Sequence, residues 1–236
     1  MCARRLLFQD GTFVRFLGTA GVEKTLPLLG KRGKEEQLVH CVAVTRVLLY
    51  AGDGMQPDQP YSSIFMRIAV LSDSHDHIPH LRRAVLGANE EGAELLIHCG
   101  DLISPFMLTY LELFNGQAHL IYGNNAGDQH LISARCASPD NRFQHHGTHG
   151  TLVAGGLRIA IEHYPKWARS LACSGDFDLV CCGHNHIFHA ERLGSCLLLN
   201  PGDLLGKDAV PAFALLDTDD FSVRRIEVGE KLVLDD

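Results

Sequence analysis

The chain has 236 residues, 46% of them apolar, which is enough to bury a core in one large domain or two small ones. Residues 66–236 hold 13 Lys and Arg against 22 Asp and Glu, a negative balance that argues against a protein coating nucleic acid and suits one that binds cations. No apolar run reaches the length of a membrane span, and the eight cysteines form no CxxC pair, so we expect a cytoplasmic protein with reduced thiols and no membrane association.

Residues 1–65 differ from the rest of the chain because they are rich in glycine and turn signals. One strand-like segment, Val39 to Tyr50, stands out in them. Met66 directly precedes a strand-length apolar run and is itself a candidate initiator. We therefore expect residues 1–65 to be a dispensable N-terminal extension, either poorly ordered or an over-called start, and residues 66–236 to be the functional domain. A transit-like leader and a small accessory hairpin are the alternatives.

The first predicted strand of that domain, Ile68 to Leu71, is apolar throughout, which is typical of a strand buried on both faces. It ends in Ser-Asp-Ser-His, so Asp73 and His75 follow the carboxyl end of a strand, where open α/β sheets bind ligands. Both residues are candidate metal ligands. The alternative is that Asp73 caps the following helix and His75 is a solvated loop residue.

Two helix and strand units follow. The periodicity predicts helices over 79–91 and 104–114 and strands over 94–99 and 118–122. These strands run into Asp101 and into the pair Asn124 and Asn125, each preceded by a glycine. Right-handed crossovers make the three strands parallel, so their polar ends should share one edge of the sheet. A helix cap for Asp101 and a simple turn for the asparagines remain open as alternatives.

Short strands with tight glycine turns are predicted after residue 142. The predicted strands cover 151–154, 157–162, 177–182, 196–199, 212–217 and 222–228. The second of them leads to His163, and the third ends in Gly-His-Asn-His, which contains His184 and His186. A His-x-His spacing after a glycine at a strand end is a frequent metal pattern, whereas a solvated polar turn is the alternative.

Seven side chains with metal-binding groups therefore follow apolar strands: Asp73, His75, Asp101, Asn124, His163, His184 and His186. A mixed set of oxygen and imidazole ligands favours manganese, iron, nickel or zinc over calcium. Seven ligands exceed one tetrahedral site. They suit two sites that share Asp101, as in centres whose two ions lie about 3.5 to 4 Å apart.

The motifs DSH, GD, GNN, a lone His, GHNH and NPG, in this order, resemble those of the calcineurin-like metallophosphoesterase superfamily, and most of all its small bacterial and archaeal phosphodiesterase branch. The resemblance covers Met66 to about Gly229. It implies an α/β fold, a four-layer α/β/β/α sandwich of two mixed sheets flanked by helices. It also implies a metal-dependent phosphodiesterase, a hydrolase that acts on phosphoric ester bonds and on a small phosphodiester substrate.

The resemblance implies a binuclear centre with two divalent ions. Manganese is the first expectation, with nickel, iron, zinc or magnesium as alternatives. The ligand sets that it implies are Asp73, His75 and His186 for the first ion and Asn124, His163 and His184 for the second, with Asp101 bridging both. A hydroxide that bridges the ions would attack phosphorus. The expected catalytic residues are Asp101, Asn124 and Asn125, while the Asn-Pro-Gly turn at 200–202 would shape the wall beside His186.

Asn125 departs from the pattern of many larger members, which have there a His that polarises or protonates the leaving group. We therefore expect a weaker or less demanding catalyst. Ala126 replaces the acidic residue usual at the next position, and Asp128 could take its part. Asp76 and Asp203 replace a Gly and a Ser. We expect these two carboxylates to make the rim more negative and to disfavour highly charged monoesters.

A binding scaffold is the main alternative to an enzyme, because a eukaryotic trafficking subunit of the retromer complex has the fold that the resemblance implies and uses it mainly to hold partners. The complete ligand set favours the enzyme, and Asn125 keeps the scaffold open. A metal or nucleotide sensor that binds phosphate without hydrolysis is a third hypothesis. Nucleic acid as a substrate is weakly supported, since the charge pattern has no basic groove, and a homo-oligomer stays open.

Overall fold

The computed structural model describes residues 65–138 and 142–230, together with the backbone of four short strands nearer the N-terminus. The chain divides into two units, Met1–Pro60 and Tyr61–Asp236. In the first unit β1 (Arg5–Leu7) pairs with β2 (Phe13–Arg15), and β3 (Leu26–Leu28) pairs with β4 (Gln37–Val39), both antiparallel. Beyond Val39, the strand predicted to reach Tyr50 lies outside the described residues.

The described part of the second unit contains two sheets and four α-helices. One sheet has six strands: β5 (Arg67–Leu71), β6 (Leu95–His98), β7 (Gln117–Leu120), β8 (Phe143–His145), β14 (Ala212–Asp217) and β15 (Val223–Glu227), in the order β15-β14-β5-β6-β7-β8. The other has five: β9 (His149–Ala154), β10 (Leu157–Glu162), β11 (Leu179–Cys181), β12 (Phe188–Leu193) and β13 (Cys196–Pro201), in the order β12-β13-β11-β10-β9. The helices are α1 (Ile78–Glu90), α2 (Leu108–Leu111), α3 (Gln129–Cys136) and α4 (Pro165–Ala172).

Parallel pairing brings the ends of several strands to the same edge. β5, β6, β7 and β8 are parallel neighbours, and β10, β11 and β13 are parallel neighbours in the second sheet. β14 and β15 extend the first sheet antiparallel on its other side. The loops that follow β5, β6 and β7 therefore start from one edge, as the crossovers of the predicted units require.

Alternating side chains of β5 separate two apolar cores, as the two-residue period of a strand dictates. Ala69 and Leu71 pack in one cluster with the buried face of α1, whereas Ile68 and Val70 pack in a cluster with strands of the second sheet. A third cluster joins the far face of the second sheet to α4 through Ala168. The layers are thus helix, sheet, sheet and helix, and the predicted α/β/β/α sandwich of two mixed sheets is confirmed.

Some elements differ from their predictions. The helix predicted over 104–114 is shorter: a 3₁₀ turn at Pro105–Met107 leads into the four-residue α2. The elements α3 and β12 are among those without a predicted counterpart. In α3 only Ile132 and Cys136 are buried, and β12 is a largely exposed edge strand. Neither element therefore has the regular spacing of apolar residues by which helices and strands are recognised in a sequence.

The described residues also bear on the membrane and cysteine predictions. In the ranges that the structure describes, every helix is too short or too polar to cross a bilayer. The six described cysteines carry free thiols, and Cys173 alone among them is exposed. The burial of the other five is typical of cysteines that act as small apolar residues.

A buried and a half-buried histidine face each other at the edge of the inter-sheet core. The Nδ1 atom of His119 lies 2.8 Å from the Nε2 atom of His146, and His119 is 6% exposed. Burial, reinforced by the proximity of His146, lowers the pKa of His119 to about 4, and burial also lowers the pKa of His146. The folded state therefore resists protonation of this pair.

This pair should make the fold less stable in mild acid. As pH falls below 6.5 towards 4, the unfolded chain takes up a proton that His119 excludes in the folded state, so the free energy of unfolding should decrease. His119→Gln removes that proton uptake and should give a shallower decrease between pH 7 and pH 5 in urea unfolding. His130→Gln, at an exposed position in α3, is the matched control. An unaltered pH dependence in His119→Gln would contradict the prediction.

Candidate metal centre

All seven predicted ligand residues lie together where strands of both sheets end. The loops after β5, β6 and β7 supply four of them, and the loops after β10 and β11 supply the other three. The side chains form two groups, which we call the first and the second ligand group and define by their atoms below. The prediction from strand ends therefore agrees with the geometry of the site.

The first ligand group consists of Asp73, His75 and His186. The Oδ1 atom of Asp73 lies 3.5 Å from the Nε2 atom of His186 and 3.8 Å from the Nε2 atom of His75. These atoms lie within 4.8 Å of one another, close enough to hold one metal ion. Ligand atoms about 2.1 Å from a tetrahedral ion lie about 3.4 Å apart, so the spacing suits a shared cation.

The second ligand group consists of Asn124, His163 and His184. The Oδ1 atom of Asn124 lies 2.9 Å from the Nε2 atom of His163 and 2.8 Å from the Nδ1 atom of His184. His163 is 1% exposed, whereas Asn124 and His184 are exposed, so this group lies on the solvent side of the site. An amide oxygen and two imidazole nitrogens thus converge at one point.

Asp101 lies between the two groups. Its Oδ2 atom is 3.4 Å from the Nε2 atom of His75 in the first group, and its Oδ1 atom is 3.6 Å from the Nε2 atom of His163 in the second. The backbone N–H of Asn125 donates to Oδ1 at 2.8 Å, and its side-chain Nδ2 donates to Oδ2 at 2.7 Å. Asn125 therefore fixes the orientation of a carboxylate that faces both groups.

His163 and Asn124 face each other with lone pairs and no hydrogen between them. The Nδ1 atom of His163 lies 2.8 Å from the carbonyl oxygen of Cys99, which can only accept, so Nδ1 carries the hydrogen and the lone pair of Nε2 points at the Asn124 oxygen. Within the described residues, the buried Asp73 Oδ1 and His75 Nε2 atoms have no hydrogen-bond partner. Facing acceptors repel one another unless a cation lies between them, and a buried carboxylate oxygen without a partner requires one, so the ligand set fits divalent metal ions.

Burial and hydrogen bonding set the charge preferences of the first group. Burial raises the pKa of Asp73 above its ordinary value, although the N–H of His184 donates to its Oδ2 atom at 2.9 Å. The hydrogen bond to Asp203 raises the pKa of His186. Charged carboxylates buried this deeply require a positive partner, and a bound cation supplies one.

Backbone strain is concentrated in the ligands. Five of the seven have φ between 39° and 73°, a region that side chains other than glycine rarely adopt: Asp73, His75, Asp101, His184 and His186. Neighbouring loops hold two of them in place, because the N–H of Asp73 donates to the carbonyl of Gly100 and the N–H of His75 donates to that of Asp101. Strain of this kind persists only where the surrounding structure imposes it.

Two glycines allow the loops to approach the ligands closely. A Cβ atom on Gly123 would lie 2.0 Å from the Oδ1 atom of Asp101, and one on Gly183 would lie 1.9 Å from the Oγ atom of Ser72. Neither contact is sterically permitted. The glycines of the GNN and GHNH motifs are therefore required by the space around Asp101 and around the loop that carries Asp73.

Asp203 is a functional residue that sequence reasoning misplaced. It was expected on the rim, but it is 2% exposed, and its Oδ2 atom accepts hydrogen bonds from His186 Nδ1 at 3.0 Å and from the N–H of Gly206 at 3.1 Å. This carboxylate therefore holds His186 with its Nε2 atom facing Asp73. The sequence feature that could have indicated this role is the position of Asp203, an acid directly after the Asn-Pro-Gly turn at the end of a buried strand.

Two other carboxylates also differ from their predicted roles. Asp76 does not add free charge to the rim, because it accepts hydrogen bonds from the backbone N–H and the hydroxyl of Ser104. Asp128 does not take the place of an acid beside the ligands, because it is the N-cap of α3 and accepts from the N–H of Leu131 at 2.9 Å. The Asn-Pro-Gly turn is structural as expected: Asn200 donates to the carbonyl of Gly183 at 2.9 Å.

Comparisons with known proteins agree with this site. Residues 66–221 match the family model of the calcineurin-like phosphoesterase superfamily domain. Over 171 residues the chain is 29% identical to a phosphodiesterase of Methanocaldococcus jannaschii, which covers 68% of this chain and 98% of that protein.

Solved structures show the same fold. An archaeal phosphodiesterase superimposes with a TM-score of 0.65 at 30% identity, over 69% of this chain and 99% of its own. A variant of Vps29 from Entamoeba histolytica superimposes with a TM-score of 0.50 at 19% identity, over 69% and 99% of the two chains. At that identity the second likeness concerns the fold alone.

Asp203 should strengthen metal binding through His186. We predict that Asp203→Ala lowers the affinity for Mn²⁺ about 10- to 100-fold, because the imidazole loses the carboxylate that orients it and raises its basicity, and that Asp203→Asn has a smaller effect. Competition with a fluorescent chelator on metal-free protein measures this affinity. Asp208→Asn is the matched control, since exposed Asp208 acts on His186 only through its charge. An equal loss in Asp208→Asn would contradict the assigned role.

Gly123→Ala should impair the centre without unfolding the protein. The added methyl would overlap Asp101 Oδ1 and displace this carboxylate, so we expect at least about a tenfold loss of Mn²⁺ affinity. Gly87→Ala is the control, because a Cβ there would meet Phe213 at an ordinary 3.5 Å and alanine is favoured in α1. Circular dichroism checks that both variants are folded. Wild-type affinity in Gly123→Ala would show that Asp101 need not hold its position.

Proposed function

The chain belongs to the calcineurin-like phosphoesterase superfamily, and from that membership we propose that it is a two-metal phosphodiesterase whose activity resides in residues 66–236. The proposed ligands are the first group for one ion and the second group for the other, with Asp101 bridging. Manganese is the proposed ion, with nickel, iron, zinc or magnesium as alternatives.

One observation carries the proposal: two groups of ligand atoms lie side by side, and the Asp101 carboxylate offers one oxygen to each group. A single structural cation would need one of these groups only. A carboxylate between two sets of ligands supports a pair of ions, which is the arrangement that hydrolyses phosphate esters without a protein nucleophile.

The protein residues have distinct roles in this proposal. Bound divalent ions would neutralise the phosphoryl oxygens and lower the pKa of a water molecule that attacks phosphorus. Asp101 fixes the spacing of the two ligand groups, and Asn125 holds Asp101 through two hydrogen bonds. Asn124, exposed beside His184, lies where it can orient the phosphate. Since both donors of Asn125 that contact the site are engaged by Asp101, the chain offers no acid there for the leaving group.

Phosphodiesters are the proposed substrates because the M. jannaschii relative is a phosphodiesterase. Asp203 does not add to a negative rim that would disfavour monoesters, since it is buried against His186. Because Asn125 cannot give a proton to the leaving oxygen, the enzyme should favour esters whose leaving group is stable as an anion.

Metal-dependent diester cleavage is the test. We expect protein stripped of metal to regain hydrolysis of bis(4-nitrophenyl) phosphate on addition of Mn²⁺ and to cleave 4-nitrophenyl phosphate more slowly. Ni²⁺, Zn²⁺ and Mg²⁺ are compared singly. Asp101→Ala should lower kcat/KM at least about 100-fold, because a two-metal centre supplies several kcal/mol of transition-state stabilisation.

Asp219→Ala, at an exposed position after β14, is the control and should retain full activity. Binding of two equivalents of metal without cleavage of either ester would contradict the hydrolase. That outcome would favour a scaffold that uses the same fold to hold protein partners, or a sensor that binds phosphate, and Asp101→Ala would then alter metal binding alone.

A further inference from the structure

Exposed apolar side chains are concentrated beside the metal centre. In the described part of the chain seven large apolar side chains are at least 39% exposed, and three of them, Tyr164, Trp167 and Ile187, lie within four residues of a candidate ligand. Isolated exposed apolar residues are ordinary on protein surfaces, but their grouping next to a site indicates a binding surface.

Tyr164 touches the second ligand group directly. Its ring centroid lies 5.2 Å from that of His163 and 4.8 Å from that of His184, with interplanar angles of 75° and 63°. The same ring is 39% exposed. Tyr164 therefore has one side against two candidate metal ligands and another open to solvent, where the rest of a bound ester would extend.

Trp167 lies one helical turn from Tyr164. Tyr164 is the N-cap of α4 and Trp167 the third residue of the helix, so both belong to its first turn. The helix turns Ala168 and Ala172 to the core, while Trp167 is 62% exposed. A tryptophan left this exposed gains little from burial, so its place in the fold does not account for it.

The backbone beneath this pair is rigid. Pro165 is the first residue of α4 and restricts both its own φ and the conformation of Tyr164 before it. The N–H of Tyr164 also donates to the Oε1 atom of Glu162 at 3.2 Å. A surface that is already ordered loses little entropy on binding a flat ligand.

We propose that Tyr164 and Trp167 form a stacking subsite for a planar ring carried by the phosphate ester, and that the substrates are nucleotide-sized diesters containing a nucleobase. This inference rests on the phosphodiesterase function proposed above, since phosphate at the ions places the esterified alcohol next to Tyr164. Aromatic side chains bind bases of any sequence by stacking. The excess of Asp and Glu in residues 66–236 opposes a long polyanion, which restricts the substrate to a mononucleotide-sized ester.

Trp167 is the only tryptophan of the chain, so its fluorescence reports on the subsite. The Mn²⁺-loaded full chain is titrated with AMP, phenyl phosphate and ribose 5-phosphate, which all carry a phosphate monoester but differ in the attached group. AMP should quench the emission and bind about tenfold more tightly than ribose 5-phosphate. Phenyl phosphate as tight as AMP would overturn the assignment to a nucleobase in favour of a simple aryl group.

Calorimetry on variants tests the residues. In Trp167→Ala the preference for AMP over ribose 5-phosphate should fall below about threefold while the affinity for ribose 5-phosphate stays unchanged. Val153→Ala is the matched control, because Val153 is 69% exposed in the edge strand β9 and should leave the preference intact. Equal affinities of AMP and ribose 5-phosphate in the wild-type protein, or no detectable binding of either, would overturn the subsite.

The binding data separate this inference from the hydrolase itself. A preference for AMP that depends on Trp167, in a protein that cleaves no diester, would support the subsite and contradict the proposed activity. Cleavage of bis(4-nitrophenyl) phosphate by a protein that binds AMP and ribose 5-phosphate equally would support the activity and overturn the subsite.

Discussion

The repulsion between buried lone pairs is the constraint around which this domain is arranged. Asp73, His75 and His186 direct ligand atoms at one another, and Asp101 directs one oxygen at each ligand group. These ligand atoms do not attract one another, so their mutual attraction cannot hold them together. They are held there by loops with left-handed backbone conformations, whose strain is imposed by hydrogen bonds from neighbouring loops.

The free energy that sustains this arrangement comes from the rest of the domain. Apolar clusters lie on both faces of the six-stranded sheet and on the outer face of the five-stranded sheet, so every strand that leads to a ligand is anchored in a packed core. Strained and repelling groups are characteristic of functional sites because the surrounding fold offsets their cost. The stacking subsite proposed at α4 uses the same rigidity on the outer side of the site.

The sequence predicted those parts of the domain that short-range patterns encode. Apolar runs marked the strands, and polar residues at their ends marked the site, because parallel strands bring their carboxyl ends to one edge. The hydrogen-bond partners of these residues could not be predicted from the sequence. Asp203 and Asp128 both follow turns, and only three-dimensional contact decides that one orients His186 and the other caps α3. The helix α3 escaped prediction because it buries only Ile132 and Cys136.

The site draws its ligands from both sheets, and this has a mechanical consequence. Asp73 follows the six-stranded sheet and His184 follows the five-stranded one, and the hydrogen bond from His184 N–H to Asp73 crosses between them, as does that from Leu204 N–H to the carbonyl of Ser72. A cation held by Asp73 and His186 would cross-link the two sheets at the end of the sandwich where the ligand loops lie. Metal binding would therefore stabilise the packing of the two sheets against each other. Strands β5 and β11 should then open together, so that their amide hydrogens exchange with solvent at similar rates.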